Sequence, residues 1–283
     1  MKIRTASSFR LGQIRYTNTL PFYHGLVSMT EVVDGGLKSL TGTPAEINRK
    51  ISEGEIDIAP ISSLEYLNHQ ERYLLFPDLC IGSRDFSGSV LLLSKEPIQG
   101  LKDAPVALTA ASLSAATLLK ILLKFKFQFE NSFPVESSPP DQMLQHTRAC
   151  LAIGDEALFF RPQEFVYKTD LSQVWWEWTA RPFCFSLWAV RRSYYEKNAE
   201  GVNGFYRRLK SNLENNLQDL EKLLREGLGL RFTDERFATV FGYLFNLNYG
   251  LDEEMKKGLE LFYEYAHRLG VSPQPKKLEF IEG

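Results

Sequence analysis

Four serines stand where the sequence changes from a strand pattern to a helix pattern. Ser62 and Ser63 follow one apolar run, and Ser112 and Ser114 follow a second one. Unpaired backbone N–H groups at a helix start, together with the helix dipole, favour a carboxylate or phosphate. Two such starts that face each other could hold a dicarboxylate. Alternatively, each serine only caps its own helix.

Two further polar side chains follow strand patterns. Asn18 comes after the pattern at 10–16, and its amide can donate a hydrogen bond to a ligand hydroxyl and accept one from it. An Asx-turn before Pro21 is the alternative role for Asn18. Asp155 follows the pattern at 150–153 and could serve as an acid or base in a cleft, or cap a helix.

Other kinds of site have little support. An arginine can bind both oxygens of a carboxylate, so three arginines are candidate clamps, although each could equally form a surface ion pair: Arg15, Arg84 and Arg181. The four histidines lack metal-ligand spacing. The sequence has neither a Gly-rich dinucleotide fingerprint nor a phosphate loop nor a Gly-x-Ser-x-Gly motif. We therefore predict a small, anionic ligand and neither a metal nor a cofactor.

The elements around these residues follow the alternation of strands and helices that is typical of an α/β protein. Thr43-Pro44-Ala45-Glu46 and Ser62-Ser63-Leu64-Glu65 are both capping boxes that begin a helix. Strands are predicted near 10–16, 56–61, 89–94, 106–108, 150–153 and 183–190. The end of the chain is almost wholly helical, with predicted helices at 201–226, 234–245 and 252–269.

This pattern predicts two lobes. Residues 1–94 and 184–283 are expected to form lobe 1, and residues 95–183 are expected to form lobe 2. The chain then crosses between the lobes twice and leaves a central cleft, which we expect to close on a ligand. Strand-to-helix turns that carry Ser, Asn and Asp are expected to face this cleft.

Composition narrows the class of partner. The 283 residues carry a net charge of −2, and no basic face is implied, so we expect neither a nucleic-acid nor a membrane partner. Cys80, Cys150 and Cys184 are odd in number and lie in apolar surroundings, which is typical of reduced thiols. No apolar secretion segment follows the first residues. We expect a cytoplasmic protein that is a monomer or a homodimer.

Seven motifs, in order, resemble the chorismate dehydratases of menaquinone biosynthesis. Together they cover roughly the first 190 residues, and each of them alone is weak. The motifs are GQIRYTNTLP at 12–21, TPAEIN at 43–48, GEIDIAPISSLEY at 54–66, GSVLLLS at 88–94, IGDEAL at 153–158, DLSQVWW at 170–176 and RPFCFSLWA at 181–189.

The resemblance implies a fold like that of type II periplasmic binding proteins and a hydro-lyase of the futalosine route. Such an enzyme converts chorismate to 3-[(1-carboxyvinyl)oxy]benzoate and water. By this resemblance Asn18 and Ser89 are the catalytic contacts. The substrate-binding residues implied are Thr17, Ser62, Ser63, Ser112, Ser114 and Asp155. The proton acceptor stays open between Asp155 and a carboxylate of the substrate itself.

The sequence departs from the family pattern in two places where substrate contacts are expected. The usual Ser-x-Thr-Ser loop is Ser112-Leu113-Ser114-Ala115 here, and the usual Thr-Gly-Leu-Pro is Thr179-Ala180-Arg181-Pro182. Two alternatives therefore remain. One is the sister enzyme that makes 1,4-dihydroxy-6-naphthoate, although its Ser-Pro-Cys-Pro-Asn-Asp-Thr opening is absent. The other is a non-catalytic cytoplasmic protein that binds or senses a small anion on the same fold.

Overall fold

The protein folds around two β-sheets. A computed structural model describes residues 9–26, 38–162 and 164–282. In chain order the strands of this described part are β1 (Arg10–Ile14), β2 (Lys38–Gly42), β3 (Ile58–Ser62), β4 (Tyr73–Ser83), β5 (Val90–Ser94), β6 (Val106–Thr109), β7 (Val135–Glu136), β8 (Ala149–Ile153), β9 (Tyr167–Asp170), β10 (Phe183–Arg191) and β11 (Leu247–Gly250).

Each sheet is mixed. The six-stranded sheet has the order β11-β4-β10-β3-β1-β2, and the five-stranded sheet has the order β7-β6-β8-β5-β9. Strand β10 runs antiparallel to β3 and β4, whereas β1 runs parallel to β2 and β3. In the second sheet β5 runs antiparallel to both β8 and β9. The two sheets define a larger and a smaller lobe, so the expected two-lobed α/β class is confirmed.

Helices cover the sheets and connect the strands. The described helices are α1 (Leu20–Tyr23), α2 (Pro44–Ser52), α3 (Ser63–Asn68), α4 (Leu113–Ile121), α5 (Pro140–His146), α6 (Gly154–Leu158), α7 (Leu171–Thr179), α8 (Arg192–Gln218), α9 (Leu220–Leu228), α10 (Glu235–Asn246) and α11 (Glu253–Arg268). A short 3-10 turn, Thr17–Thr19, joins β1 to α1.

Two predicted boundaries need correction. Strand β5 pairs with β8 and β9, so it belongs to the sheet of the smaller lobe and not to lobe 1, whose first segment was expected to end at residue 94. All five of its residues are buried, and a fully buried strand carries no alternating pattern that indicates which sheet it joins. The helix predicted at 201–226 is two helices, α8 and α9, which meet at Asp219.

The capping signals explain where the helices near the cleft begin. The Thr43 side chain accepts a hydrogen bond from the Glu46 backbone, and the Glu46 carboxylate accepts one from the Thr43 backbone, which completes the predicted capping box. Ser62 and Ser112 cap α3 and α4 through the third residue after each cap. All three helices therefore begin directly after a strand or at a strand-to-helix turn.

Candidate functional site

A cavity, partly open to solvent, lies between the two lobes. The larger lobe contributes the ends of β1, β3, β4, β10 and β11, and the smaller lobe contributes the starts of β5, α4 and α6. Its walls are mostly apolar, and the polar side chains among the lining residues are Tyr16, Asn18, Thr19, Ser62, Ser89, Ser112 and Ser186. Such a cleft suits a small ligand that few polar groups orient.

The 3-10 turn after β1 holds Asn18 at the cavity. The Thr19 hydroxyl donates to the carbonyls of Ile14 and Tyr16 at 2.8 Å each. The Tyr249 hydroxyl, from β11, donates to the Asn18 carbonyl at 3.0 Å. The Asn18 Oδ1 atom is buried and accepts no hydrogen bond within the described protein. A ligand hydroxyl could provide the missing donor.

Ser89 is held at the cavity from two sides. The buried Asp170 carboxylate accepts hydrogen bonds from the backbone and hydroxyl of Ser87 and from the backbone of Gly88, and it also caps α7. Burial raises the pKa of Asp170, while the hydrogen bonds from Gly88 and Ser87 act in the opposite direction. The Ser89 carbonyl accepts a bond from the Gly154 backbone at 2.8 Å. The loop before β5 is therefore closely fixed.

Ser62 and Ser112 reach the cavity from opposite lobes. The Ser62 hydroxyl accepts from the Glu65 backbone at 3.1 Å and from the Asn48 amide at 3.0 Å. The Asn48 amide oxygen in turn accepts from the Ser62 backbone at 3.0 Å. The Ser112 hydroxyl accepts from the Ala115 backbone at 3.3 Å. Both serines thus act as helix caps and still line the cavity.

Ser63 and Ser114, unlike Ser62 and Ser112, lie at the contact between the lobes and not at the cavity. Their hydroxyl oxygens lie 2.9 Å apart, the Ser63 hydroxyl donates to the Cys184 carbonyl, and the Ser114 hydroxyl accepts from the Leu64 backbone. Both are buried, and neither is among the residues that line the cavity. Both expected helix starts are present. At each of them one serine faces the cavity, and the other lies at the contact between the lobes.

Thr17 and Asp155 also form a contact between the lobes. The Thr17 backbone and hydroxyl donate to the two Asp155 carboxylate oxygens at 3.0 and 3.1 Å. Neither residue is among those that line the cavity. Gly154 has a φ of +58°, and a Cβ atom there would lie 2.9 Å from the Tyr16 ring. A glycine at this position therefore permits the close approach of the two lobes.

Charged side chains contribute little to the cavity. The three candidate arginine clamps form ion pairs away from the cavity. Arg84 contacts Asp252, Arg181 contacts Glu254, and Arg15 lies 3.8 Å from Glu46. Each of these arginine side chains is at least 40% exposed. Burial, with Glu156 and Asp155 nearby, raises the pKa of Tyr16 to about 12, so its hydroxyl stays protonated at neutral pH.

The described residues contain no cluster of three or more His, Cys, Asp or Glu side chains suited to a metal ion. Within the same ranges, no helix has the length and apolar character needed to cross a membrane. Cys80, Cys150 and Cys184 are free and buried.

The sequence reasoning missed several residues that support the site. Asn48 orients Ser62, Asp170 fixes the loop before Ser89, and Tyr243 donates to the Ser89 hydroxyl. Asn48 and Asp170 lie inside the family motifs at 43–48 and 170–176, and this location is the signal that could have indicated them. Tyr243 lies in a helical region with ordinary amphipathic spacing, and nothing in that pattern distinguishes it from a core residue.

Comparison with known proteins identifies the family. A family model described as menaquinone biosynthesis matches residues 9–268. A chorismate dehydratase from Thermus thermophilus is 32% identical over 279 residues, which cover 90% of this chain and 93% of that protein. The chain belongs to the chorismate dehydratase family. It is therefore a member of a family of menaquinone biosynthesis, as its motifs predicted.

Solved structures agree on the fold of this family member. A protein from Archaeoglobus fulgidus matches with a TM-score of 0.66 and 19% identity, covering 93% of this chain and 98% of that one. The periplasmic aliphatic sulphonate binding protein of Escherichia coli matches with a TM-score of 0.64 and 16% identity, over 98% and 94% of the two chains. The periplasmic-binding-protein fold predicted from the motifs is confirmed.

Proposed function

We propose that this protein is a hydro-lyase that converts chorismate to 3-[(1-carboxyvinyl)oxy]benzoate and water in the futalosine route to menaquinone. One observation carries the proposal beyond family membership. The unpartnered, buried Asn18 oxygen and the Ser89 hydroxyl line the same cavity. An acceptor and a hydroxyl donor in one cavity suit a ligand hydroxyl, and chorismate must lose one.

The carboxylates of the substrate are bound without arginine or lysine. Ser62 and Ser112 offer hydroxyls from opposite lobes, and α4, which begins beside Ser112, adds the positive end of a helix dipole. Tyr16 supplies a further protonated hydroxyl. Neutral donors preorganised in a mostly apolar cleft bind an anion with little reorganisation. Ser63, Ser114, Thr17 and Asp155 support this arrangement by holding the lobes together.

The reaction removes the hydrogen at C3 and the hydroxyl at C4 of the chorismate ring. The C3 proton is acidic because the ring carboxylate is conjugated with it, and the electrons of the C3–H bond complete the aromatic ring as the C4–O bond breaks. The proton acceptor takes the C3 proton, and the hydroxyl that leaves C4 takes up that proton, directly or through solvent, to form water. Asn18 orients this hydroxyl through its acceptor oxygen, and Ser89 donates to the hydroxyl oxygen and stabilises the charge that develops on it.

The substrate's own carboxylate is the proton acceptor that fits this cleft best. The residues that line the cavity in the described ranges include no carboxylate, imidazole or amine. Asp155, the other candidate, accepts hydrogen bonds from Thr17 on both of its oxygens. A carboxylate that already sits on the substrate needs no further approach to reach the C3 proton.

The reaction is proposed to occur in the cytoplasm, where buried free thiols such as Cys80, Cys150 and Cys184 stay reduced. We expect the protein to work as a monomer or a homodimer. A non-catalytic binding protein is the second candidate, and Ala115 favours it, because this residue lines the cavity where the family pattern has a serine hydroxyl.

The test is incubation of the purified protein with chorismate, without added metal or cofactor, followed by liquid chromatography and mass spectrometry. The proposal predicts a product lighter than chorismate by one water, with an aromatic ultraviolet spectrum. Unchanged chorismate in the presence of folded protein would contradict it. If chorismate then still raises the melting temperature, the binding protein becomes the better account.

A further inference from the structure

A buried tyrosine from the C-terminal helices reaches the polar wall of the cavity. Tyr243 lies on α10 and is 4% exposed. Its hydroxyl donates a 2.8 Å hydrogen bond to the Ser89 hydroxyl, which is also 4% exposed. This phenol therefore contacts one of the two side chains that we assign to the reacting hydroxyl.

This contact determines the direction of the Ser89 hydroxyl. A serine hydroxyl has one hydrogen and can accept bonds on its oxygen. Because the oxygen of Ser89 accepts from Tyr243, its own hydrogen must point to another acceptor, and Ser89 lines the cavity. Ser89 thus acts as a donor toward a ligand, while the unpartnered Asn18 Oδ1 acts as an acceptor.

Tyr243 itself stays protonated during this role. Burial raises the pKa of Tyr243 far above the ordinary value for tyrosine, and Asp155 and Asp170 raise it further, although hydrogen bonding with Ser89 and Asn18 acts in the opposite direction. Because the Tyr243 phenol does not ionise, it keeps the hydrogen that it donates to Ser89. The hydrogen bond that Tyr243 donates to the Ser89 oxygen also strengthens the hydrogen bond that the Ser89 hydroxyl donates to a ligand. Consecutive hydrogen bonds polarise one another.

We propose that Tyr243 is a positioning residue that sets Ser89 as a hydrogen-bond donor toward the hydroxyl lost from the substrate. This inference rests on the proposed function. It assigns a catalytic consequence to α10, a helix that lies outside the seven family motifs. Tyr243 acts through Ser89 and does not itself line the cavity.

The test is a double-mutant cycle on chorismate dehydration with Tyr243→Phe, Ser89→Ala and the double variant. We expect Tyr243→Phe to lower kcat about tenfold, the effect of one well-oriented hydrogen bond, with KM changed less than about twofold. In the Ser89→Ala background the same change should alter kcat less than about twofold, because the group through which Tyr243 acts is gone.

Tyr206→Phe is the matched control, since Tyr206 is also largely buried and its hydroxyl donates to a side chain, Asp78, at 2.9 Å. Its kcat should equal that of the wild type. An equal loss from Tyr243→Phe in both backgrounds, or wild-type kcat in Tyr243→Phe, would overturn the proposal. If the turnover of Ser89→Ala is too slow to measure, the same double-mutant cycle is carried out on the affinity for the product, 3-[(1-carboxyvinyl)oxy]benzoate, measured by calorimetry.

A wild-type protein that leaves chorismate unchanged would refute the proposed function and, with it, the positioning role. A wild-type protein that dehydrates chorismate while Tyr243→Phe does so equally fast would refute the positioning role alone. Melting temperatures of all variants identify any loss that comes from unfolding.

Discussion

Asn18 and Ser89 present opposite hydrogen-bonding groups to one cavity. The Asn18 oxygen is a buried acceptor without a partner, and the Ser89 oxygen already accepts a bond from Tyr243. A buried polar atom without a protein partner is costly to leave unpaired, and a ligand that supplies the partner removes that cost. The pair therefore favours a ligand that carries a hydroxyl.

Replacing Asn18 by alanine should affect turnover much more than folding. We expect Asn18→Ala to lower kcat about 100-fold, as for the loss of one preorganised hydrogen bond that orients the reacting hydroxyl. The free energy of unfolding should change by about 1 kcal/mol or less, because the side chain is partly exposed and its oxygen has no partner to lose. Steady-state kinetics and thermal unfolding measure the two effects.

Asn198→Ala is the control for this prediction. Asn198 donates to the Tyr194 carbonyl on α8, outside the cavity, so its kcat should stay at the wild-type level. Wild-type turnover in Asn18→Ala would remove Asn18 from the mechanism.

Residue types and motif order predicted part of this site. Asn18, Ser62, Ser89 and Ser112 were expected near a ligand, and they line one cavity, although their roles remain predictions. Ser63 and Ser114 could not be separated from their neighbours, because a serine at a helix start looks the same whether its hydroxyl faces a cleft or the other lobe. Only the packing of the lobes decides this.

At the scale of elements, the loop between α7 and β10 explains one departure from the family pattern. Ala180 ends α7 with a φ of +52°, in the left-handed region, and the family pattern has glycine there. Arg181 contacts Glu254 at 2.7 Å and does not line the cavity. The expectation that this segment contacts the substrate is therefore wrong for Ala180 and Arg181, which lie at a helix end and in a surface ion pair.

The change Ala180→Gly should stabilise the protein. A left-handed conformation costs an alanine roughly 1–2 kcal/mol, and the greater freedom of glycine in the unfolded chain offsets part of the gain. We expect the free energy of unfolding to rise by about 0.5–1 kcal/mol in urea denaturation, with unchanged kcat and KM. Glycine at Ala111, which has no positive φ, serves as control and should not stabilise. A loss of stability in Ala180→Gly would contradict the strain argument.

The element patterns predicted most of the strands next to the cleft because those strands carry apolar runs. They missed β2, whose residues are mostly exposed, and also β4, β7, β9 and β11. They also assigned β5 to the wrong lobe. Strand pairing between distant segments depends on tertiary contacts that local periodicity does not contain.

At the scale of the whole molecule, a buried ion pair ties the start of the chain to β10. The Asp57 carboxylate, 3% exposed, accepts bonds from Arg10 at 2.8 and 3.0 Å and also contacts Arg191. Burial raises the pKa of Asp57, but the hydrogen bonds from Arg10 and Arg191 outweigh burial and hold the pKa below the ordinary value of 3.8. The folded state thus holds the ionised form more firmly than the unfolded state does.

This pKa predicts the direction of a pH effect on stability. The contribution of Asp57 is fully present above its unfolded pKa and is lost as pH falls through the lower folded pKa. Asp57→Asn should lower the free energy of unfolding by about 1–3 kcal/mol at pH 7, and the difference from the wild type should shrink as the pH falls below 3.8.

Urea unfolding at a series of pH values from neutral to strongly acid checks this prediction. Glu254→Gln is the control, because Glu254 pairs with Arg181 and Lys257 at the exposed surface, where such pairs contribute little. A constant difference between Asp57→Asn and wild type down to the lowest pH would contradict the assignment.

The arrangement of the two lobes places the polar groups of both around one cavity. Thr17 with Asp155, and Ser63 with Ser114, hold the lobes together beside the cavity. The central claim is that chorismate reacts in this space. The most direct test is a crystal structure of the protein with the product, 3-[(1-carboxyvinyl)oxy]benzoate. We predict the product in the cavity, with its ring beside Asn18 and Ser89 and its carboxylates near Ser62 and Ser112. Product bound at any other place, with this cavity empty, would contradict the account.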